Sequence, residues 1–432
     1  MAKIVSKYPV FEDFKNPNLF MWLIAYGVLT LVLALFIWNL WAALAFSLAA
    51  YAVIGNDAVQ TLMTYIHSNS DVSSKILFAG VATVLLSVIW YGYIAGWDIT
   101  YGRLSAKWYA DFPIEWYIPI FPLILVFLTR FRWIPVSTSL LMLSIFSTSI
   151  LFEQIIMKSA LWYFVAFVSS FAMWLVVEYI LKQTEKRKKK KHSINIGWMC
   201  IKSGVATAVI LVAIIYAVIP VVLDIFPAIV FPEVSLGQLW LYTFVIFLFV
   251  LGVFYDSEAN NSDGRSSVFW RIAQTFTTAL LFGTWLMHDM VNIAVFLPSN
   301  FWIEIMLLIS VLFLLWLAYT FYIHGWPVGN IVTKKTSTNE IVAATMIDLV
   351  YFVILLIFKD WSNIPMSTTW VFVWLLAGRQ FAIRAVNRID KIEWSGRMNL
   401  AFKESWKDFS KIMVWLWISV VALIIVRYFT GT

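Results

Sequence analysis

Apolar stretches long enough to cross a lipid bilayer recur along the whole chain, and the first of them, residues 19–40, contains no charged side chain. About 20 helical residues cross a hydrocarbon core of about 30 Å. Backbone N–H and C=O groups find no water there, so long apolar stretches of this kind cross it as helices. Hydrophobic residues make up 62% of the 432 residues and charged residues 13%, which excludes an ordinary soluble domain. The sequence therefore predicts an all-α polytopic membrane protein.

Hydropathy divides the chain into two sets of six apolar segments with one further segment between them. The first set covers approximately residues 19–38, 41–66, 75–95, 117–129, 133–152 and 160–181, and the second covers 237–254, 271–296, 302–323, 341–358, 364–385 and 411–428. We therefore expect a first transmembrane repeat over residues 1–181, a basic loop at 182–199, a linker helix at 200–223 and a second repeat over 237–432. The polar residues before the first segment predict no cleavable signal peptide.

Each half carries an aspartate in apolar surroundings, with amide or imidazole neighbours at the same offsets. These residues are Asn56, Asp57 and Gln60 in the first half, and His288, Asp289 and Asn292 in the second. An ionised Asp near the bilayer centre costs about 2.5 to 3.5 kcal/mol on insertion scales, so it normally faces a partner, an ion or a wet cavity. Carboxylate and amide oxygens suit Na⁺, and a carboxylate can also carry a proton. The alternative is that the motif only forms hydrogen bonds between helices.

A second motif, Ile-Pro-x-Ser-Thr-Ser/Thr, also occurs once in each half. It supplies Ser137, Thr138 and Ser139 in the first copy, and Ser367, Thr368 and Thr369 in the second. Proline and hydroxyl residues favour the first turn of a helix. A helix that began inside the membrane would direct free N–H groups, hydroxyls and its positive dipole end at an anion, although capping alone also explains a single copy.

The spacing of the two motifs indicates an internal duplication. Ser137 follows Asp57 by 80 residues, and Ser367 follows Asp289 by 78. If each set of six segments leaves the membrane on the side where it entered, the segment at 200–223 inverts the second repeat. The sequence thus predicts two inverted-topology repeats with re-entrant or broken helices at the midplane, an arrangement used by many secondary transporters. The Lys-rich loop at 182–199 is predicted to be cytoplasmic rather than to bind nucleic acid.

The two motifs resemble the paired signatures of the inorganic phosphate transporter (PiT) family. That family carries Gly-Ala-Asn-Asp-Val-Ala-Asn-Ala and then Pro-Val-Ser-Thr-Thr-His in each repeat, and the chain resembles it from about residue 41 to residue 385. The resemblance implies that phosphate binds at the centre, with Na⁺ or H⁺ coupling. It implies that Asn56, Asp57, Asp289 and Asn292 serve the ions, as Na⁺ ligands if the coupling ion is sodium, and also contact phosphate. It further implies that Ser137, Thr138, Ser367 and Thr368 donate to phosphate oxygens, and Gln60, Ser139, His288 and Thr369 complete the expected substrate site.

The chain also departs from the family pattern. Gln60 and His288 each replace an asparagine, and Leu140 and Trp370 stand at the positions of the hairpin histidine. A titrating His288 would favour proton coupling over Na⁺, whereas a neutral His288 hydrogen-bonded between helices is the alternative. The departures leave the oxyanion open, with sulfate as an alternative to phosphate.

The predicted function is cation-coupled secondary transport of phosphate or a similar oxyanion, with no enzymatic activity and no cofactor beyond Na⁺ or H⁺ as the coupling ion. A polytopic membrane enzyme is the runner-up, but the chain lacks HExxH, GxSxG and P-loop motifs. An uncoupled channel is a third alternative. We expect a multi-pass protein of a prokaryotic inner membrane, and the sequence leaves a monomer and a homodimer open.

Overall fold

The computed structural model describes residues 17–37, 39–94, 99–101, 114–130, 137–146, 153, 156–157, 159–160, 163–175, 268–297, 302–322, 341–361, 367–386 and 394–430. Within these ranges every regular element is a helix. The predicted basic loop at 182–199, the linker helix at 200–223 and the apolar segment at 237–254 lie outside the described residues.

The first half forms a series of helices that includes two π-helical segments. They are α1 (Pro17–Ile37), α2 (Leu40–Val53), π1 (Ile54–Ala58), α3 (Val59–Ser68), α4 (Ser74–Ile94), α5 (Ile120–Arg130), π2 (Ser139–Leu143), α6 (Ser144–Phe146) and α7 (Tyr163–Leu175). Asn39 separates α1 from α2, and its side chain accepts the N–H of Ala42 at 3.0 Å as an N-cap. The described part of α5 has 11 residues.

The second half contains six described helices. They are α8 (Val268–Asp289), α9 (Val291–Ala294), α10 (Ile303–Tyr322), α11 (Ile341–Trp361), α12 (Thr368–Val386) and α13 (Trp394–Thr430). The last of these begins well before the apolar segment predicted at 411–428, and its 37 residues extend over about 55 Å. Hydropathy marks only its apolar part. The polar first part continues the helix with exposed residues, and Glu404 there forms a salt bridge of 2.7 Å with Arg384 of α12.

The lengths and surfaces of these helices make the chain an integral membrane protein. Within the described ranges, three apolar helical spans are long enough to cross a bilayer, Leu40–Ser68, Ser74–Ile94 and Ile303–Tyr322. Large apolar side chains such as Leu35 and Ile94 are 73% and 77% exposed. Such surfaces are unfavourable in water but favourable against lipid. The protein is thus an all-α polytopic membrane protein, as the sequence predicts.

Helices of the two halves interlock around a shared core. In the first half α2, α3 and α4 pack against α8, α10 and α11 of the second. The buried ring of Trp316 on α10 contacts Tyr26 of α1 at 4.7 Å and Tyr51 of α2 at 4.1 Å between centroids, both edge to face. This interlocking brings the polar motifs of the two halves to one place inside the bundle.

Candidate functional site

Asp57 lies on π1, a widened turn within the 29-residue apolar span Leu40–Ser68. A π segment inserts an extra residue into a helix, and such insertions are frequent at functional sites. The carboxylate is 1% exposed. Its Oδ1 accepts from Asn56 Nδ2 at 2.5 Å and from Gln60 Nε2 at 3.4 Å. The irregular turn therefore gathers the three polar residues of the first motif around one carboxylate.

Asp289 also lies at an irregularity in a helix. It is the last residue of α8, and Met290 forms a turn before α9 begins at Val291. Asn292 Nδ2 donates to Asp289 Oδ1 at 3.0 Å, in the position that Gln60 holds relative to Asp57. Both copies of the motif thus place the aspartate where a helix departs from regular α geometry.

The two Ser-Thr motifs meet these two aspartates in matching ways. Thr138 Oγ1 donates to Asp57 Oδ2 at 2.6 Å, and Thr368 Oγ1 donates to Asp289 Oδ2 at 2.6 Å. Each aspartate therefore bonds the second residue of the Ser-Thr motif from its own half. Sequence separations of 81 and 79 residues therefore produce the same contact twice.

Further hydrogen bonds join the two halves across the site. Thr369 Oγ1 donates to Asp57 Oδ1 at 2.7 Å, and Gln60 Nε2 donates to Thr369 Oγ1 at 3.3 Å. In the other direction, Asn292 Nδ2 donates to Thr138 Oγ1 at 3.1 Å. The four motifs consequently form one buried cluster and not two separate sites.

Ser137 and Ser367 cap the helical segments that follow them. Ser137 Oγ accepts the N–H of Leu140 at 3.1 Å, and Ser367 Oγ accepts the N–H of Trp370 at 3.4 Å. Both bonds have the three-residue offset of an N-cap. Because these hydroxyls accept from the backbone, each keeps its own hydrogen to donate. The prolines that precede the serines lie outside the described residues.

His288 contacts a neighbouring helix through its Nε2. This atom lies 2.8 Å from the carbonyl oxygen of Leu355 on α11. The ring therefore bonds to the backbone of a neighbouring helix. Ser139 begins π2 and is 1% exposed. Every predicted site residue is buried, with an exposed fraction of 3% or less.

The site predicted from the sequence does not include Tyr351 of α11. Tyr351 O–H donates to the backbone carbonyl of Thr368 at 2.9 Å, and the tyrosine interacts electrostatically with both Asp57 and Asp289. It therefore positions the start of α12. The only signal in the sequence was a tyrosine one helical turn after an intramembrane acid, Asp348.

The electrostatics of the cluster require a positive charge. Asp57 interacts with the like charge of Asp289, and its other partners are Thr138, Thr369 and Asn56, so no basic side chain among the described residues neutralises it. Two carboxylates in a low-dielectric interior repel each other and are costly unless cations or protons neutralise them.

The ligands available in the cluster favour a hard cation. Carboxylate, amide and hydroxyl oxygens are the groups that such ions prefer. In the described part of the chain, no group of three or more His, Cys, Asp and Glu side chains forms a metal site. Asn292 Oδ1 is buried without a hydrogen-bond partner in the described residues. It is one more oxygen that can bind an ion or a donor on a ligand.

Comparisons with known proteins give one structural likeness. No protein-family model matches the chain, and no curated protein matches it in sequence. A solved structure described as "The sodium-dependent phosphate transporter" aligns with 90% of this chain and 98% of its own, at 12% sequence identity and a TM-score of 0.46. A likeness of this degree assigns neither a substrate nor a coupling ion to this chain.

Proposed function

We propose that this protein is a cation-coupled secondary transporter of an oxyanion, with inorganic phosphate as the first candidate and Na⁺ or H⁺ as the coupling ion. The observation that carries the proposal is the duplicated pair of carboxylate–hydroxyl contacts, Asp57 with Thr138 and Asp289 with Thr368, each at 2.6 Å. They lie in one buried cluster to which both halves of a membrane protein contribute.

The cluster contains complementary groups for a cation and an anion. Asp57, Asp289, Asn56 and Asn292 offer oxygens to the cation, and hydroxyl groups of the two Ser-Thr motifs offer hydrogens to the oxyanion. The start of α12 adds the positive end of a helix dipole on the same side as Thr368. An oxyanion bound at this point would be surrounded by donors, with its charge balanced by the cations on the neighbouring carboxylates.

The same hydroxyls also give a physical basis for coupling. Thr138 and Thr368 donate to carboxylates in this structure. When a cation or proton neutralises a carboxylate, that hydrogen bond weakens and the hydroxyl can turn to an anion instead. Cation binding and oxyanion binding then favour each other, as linkage between two sites requires.

A carboxylate-rich site favours phosphate over sulfate. At neutral pH inorganic phosphate still carries at least one O–H group, which can donate to Asp57 or Asp289, whereas sulfate carries none. A carboxylate facing a sulfate oxygen would leave two acceptors in contact, which is unfavourable in a buried site. Among oxyanions of similar size and charge, the presence of an O–H donor is thus the discriminating feature.

The duplication supports alternating access by two inverted repeats, with the site near the midplane between them. The π-helical segment π2 is consistent with a broken helix in the first repeat. The proposal places the protein in the inner membrane of a prokaryote, with residues 182–199 in the cytoplasm.

The experiment that tests this function is uptake of radiolabelled phosphate into proteoliposomes, with an imposed Na⁺ gradient compared with an imposed pH gradient. We expect concentrative uptake under one of the gradients and competition by sulfate only at large excess. Asp57→Asn and Asp289→Asn should abolish uptake while the protein still elutes as a folded species. Wild-type uptake in both variants would contradict the proposal, and uptake that only equilibrates phosphate would indicate a channel.

A further inference from the structure

A third intramembrane carboxylate, Asp348, lies outside the cluster around Asp57 and Asp289. It is 1% exposed on α11. Its Oδ1 accepts from Thr64 Oγ1 of α3 at 2.7 Å, and its Oδ2 accepts from Thr278 Oγ1 of α8 at 2.7 Å. The acid thus joins a helix of the first half to two helices of the second.

No charged side chain of the described residues neutralises Asp348. The helices α3, α8 and α12 pack against α11, and their titratable groups are Tyr65 and His67 on α3, Arg271, His288 and Asp289 on α8, and Arg379 and Arg384 on α12. The helix α11 itself also carries Tyr351 and, near its C-terminal end, Lys359 and Asp360. Among the described residues, the polar contacts of Asp348 are the two threonine hydroxyls. Because a bare carboxylate in this interior is costly, it needs a proton or a cation.

The two threonines accommodate a proton better than a metal ion. A hydroxyl can donate to a carboxylate or accept from a carboxylic acid, so the same geometry satisfies both protonation states. When it accepts, Thr64 can turn its hydrogen to the carbonyl oxygen of Thr61, 3.4 Å away. A hard cation instead gathers six or so oxygen lone pairs, and Asp348 with two threonines offers fewer.

A polar seam connects this acid with the end of α3. Gln274 Nε2 donates to Ser68 Oγ at 2.5 Å, and Gln274 Oε1 accepts from Asn69 Nδ2 at 2.8 Å. Gln274 is one helical turn from Thr278, and Ser68 is one turn from Thr64. The seam ends beside Asp71, which is exposed at the turn after α3. Polar groups therefore extend from an exposed turn to a buried acid.

In the opposite direction, Asp348 is close to the central cluster. Thr64 is one turn of α3 beyond Gln60, a rise of about 6 Å along the helix axis, and Gln60 bonds Thr369 and Asp57. Asp348 consequently lies between the exposed turn and the candidate substrate site. A change in its charge would therefore alter the electrostatic potential at both places.

We propose that Asp348, held by Thr64 and Thr278, is a proton-carrying site that couples transport to a pH gradient. The inference rests on the proposed function and specifies its coupling ion. The proton reaches Asp348 along the polar seam and neutralises it. It leaves when the two halves rearrange around the central site. Asp348 does not bind the oxyanion.

The test separates net uptake from exchange in proteoliposomes that contain radiolabelled inorganic phosphate. Exchange of internal for external phosphate needs no net proton movement, whereas net uptake driven by a pH gradient does. We expect Asp348→Asn to lower pH-driven net uptake by about tenfold or more, the size of effect that loss of a buried charged hydrogen-bond partner produces, and to retain exchange. The matched control is Thr345→Val, because Thr345 is buried on the same helix and its hydroxyl bonds only within that helix, to Ile341 O at 2.7 Å.

The outcomes distinguish this inference from the proposed function. If Asp348→Asn takes up phosphate under a pH gradient as well as wild type does, the inferred proton site is wrong and the proposed transport function is unaffected. If a Na⁺ gradient alone drives uptake in wild type, the proton site is also wrong. If Asp348→Asn loses phosphate exchange as well, the variant Asp348→Glu is measured. Net phosphate uptake by Asp348→Glu with a shifted pH profile supports the proton site, and absence of both uptake and exchange in that variant overturns it. Absence of both net uptake and exchange in wild type contradicts the proposed function itself.

Discussion

At the scale of single residues, the two carboxylate–hydroxyl pairs give the sharpest prediction. Thr138→Val and Thr368→Val keep the side-chain shape but remove the hydroxyls that donate to Asp57 and Asp289 at 2.6 Å. A hydrogen bond to a charged group contributes about 1.5 to 3 kcal/mol, so each variant should weaken phosphate uptake by about tenfold to a hundredfold. The measurement is the concentration dependence of uptake, compared between the two variants.

Two further variants control for folding and for shape. Thr→Ser at either position restores a hydroxyl and should recover most of the uptake. Thr83→Val removes an exposed hydroxyl on α4 that bonds only to Ala79 O at 2.9 Å, and it should behave as wild type. If Thr138→Val and Thr368→Val differ strongly from each other, the site works asymmetrically, with Thr369 compensating on the Asp57 side. Undiminished uptake in both would remove these hydroxyls from the mechanism.

The sequence predicted the polar residues of the cluster better than their contacts. Repetition alone identified both aspartates and both Ser-Thr motifs. The bond from Thr369 to Asp57 spans 312 residues, so local spacing could not predict it. Nor could spacing predict that His288 bonds the carbonyl of Leu355, because that contact depends on how α8 packs against α11.

At the scale of secondary-structure elements, the close approach of α7 and α12 is essential for placing the site. Gly378 on α12 lies against the backbone of α7: a Cβ there would overlap the carbonyl oxygen of Phe167 and lie 3.0 Å from the N of Phe171. One residue further along, Arg379 stacks over the ring of Trp174 at 4.5 Å. Because α12 begins with Thr368 and Thr369, any shift of this helix moves two hydroxyls of the cluster.

Gly378→Ala should therefore lower both thermal stability and uptake. Overpacking of a well-packed interface costs about 1 to 3 kcal/mol, and the backbone atoms of α7 cannot rotate away as a side chain could. Gly80→Ala is the matched control, since a Cβ at Gly80 on α4 has no atom within 4 Å. Replacing that helical glycine should leave stability unchanged or raise it by about 0.5 to 1 kcal/mol. Thermal unfolding in detergent compares the two, and an equal response of both variants would contradict the close-packing argument.

Hydropathy located most of the described helices because apolar length is a strong signal. It did not locate π1 and π2, since an inserted residue leaves the apolar pattern almost unchanged and is stabilised by tertiary contacts. It also began the last helix too late, at residue 411, whereas α13 begins at Trp394. The first part of α13 carries charged, exposed side chains such as Lys403 and Glu404. Hydropathy gives no signal for such a segment, so only helix propensity and packing against α12 indicate that it is helical.

At the scale of the whole molecule, the two halves are joined at an exposed turn as well as in the core. Arg271 of α8 donates to both carboxylate oxygens of Asp71, at 3.0 and 2.7 Å. The hydrogen bonds and charge of Arg271 hold the pKa of Asp71 below its ordinary value. In the proposed alternating-access mechanism the halves separate on one face at a time, and on the face with Asp71 they are joined by this ion pair and by the bonds of Gln274.

Arg271→Gln should make this face open more readily. We expect faster hydrogen–deuterium exchange in residues 69–73 and altered transport kinetics, with the effect reduced at high salt because the pair is solvent-exposed. The control is Arg384→Gln, which breaks a salt bridge of the same 2.7 Å length that lies entirely within the second half. It should leave exchange at residues 69–73 unchanged.

The pH dependence of that difference has a definite sign. Since the folded-state pKa of Asp71 is lowered, the ion pair contributes fully above the ordinary Asp pKa of about 4, and its contribution is lost as the pH falls through the lowered value. Wild type and Arg271→Gln should therefore differ most in exchange near neutral pH and converge in acid. The double variant Asp71→Arg with Arg271→Asp swaps the two charged residues and should restore wild-type protection from hydrogen–deuterium exchange. If the double variant stays as open as Arg271→Gln, the closure of this face depends on the seam of Gln274 and not on the ion pair.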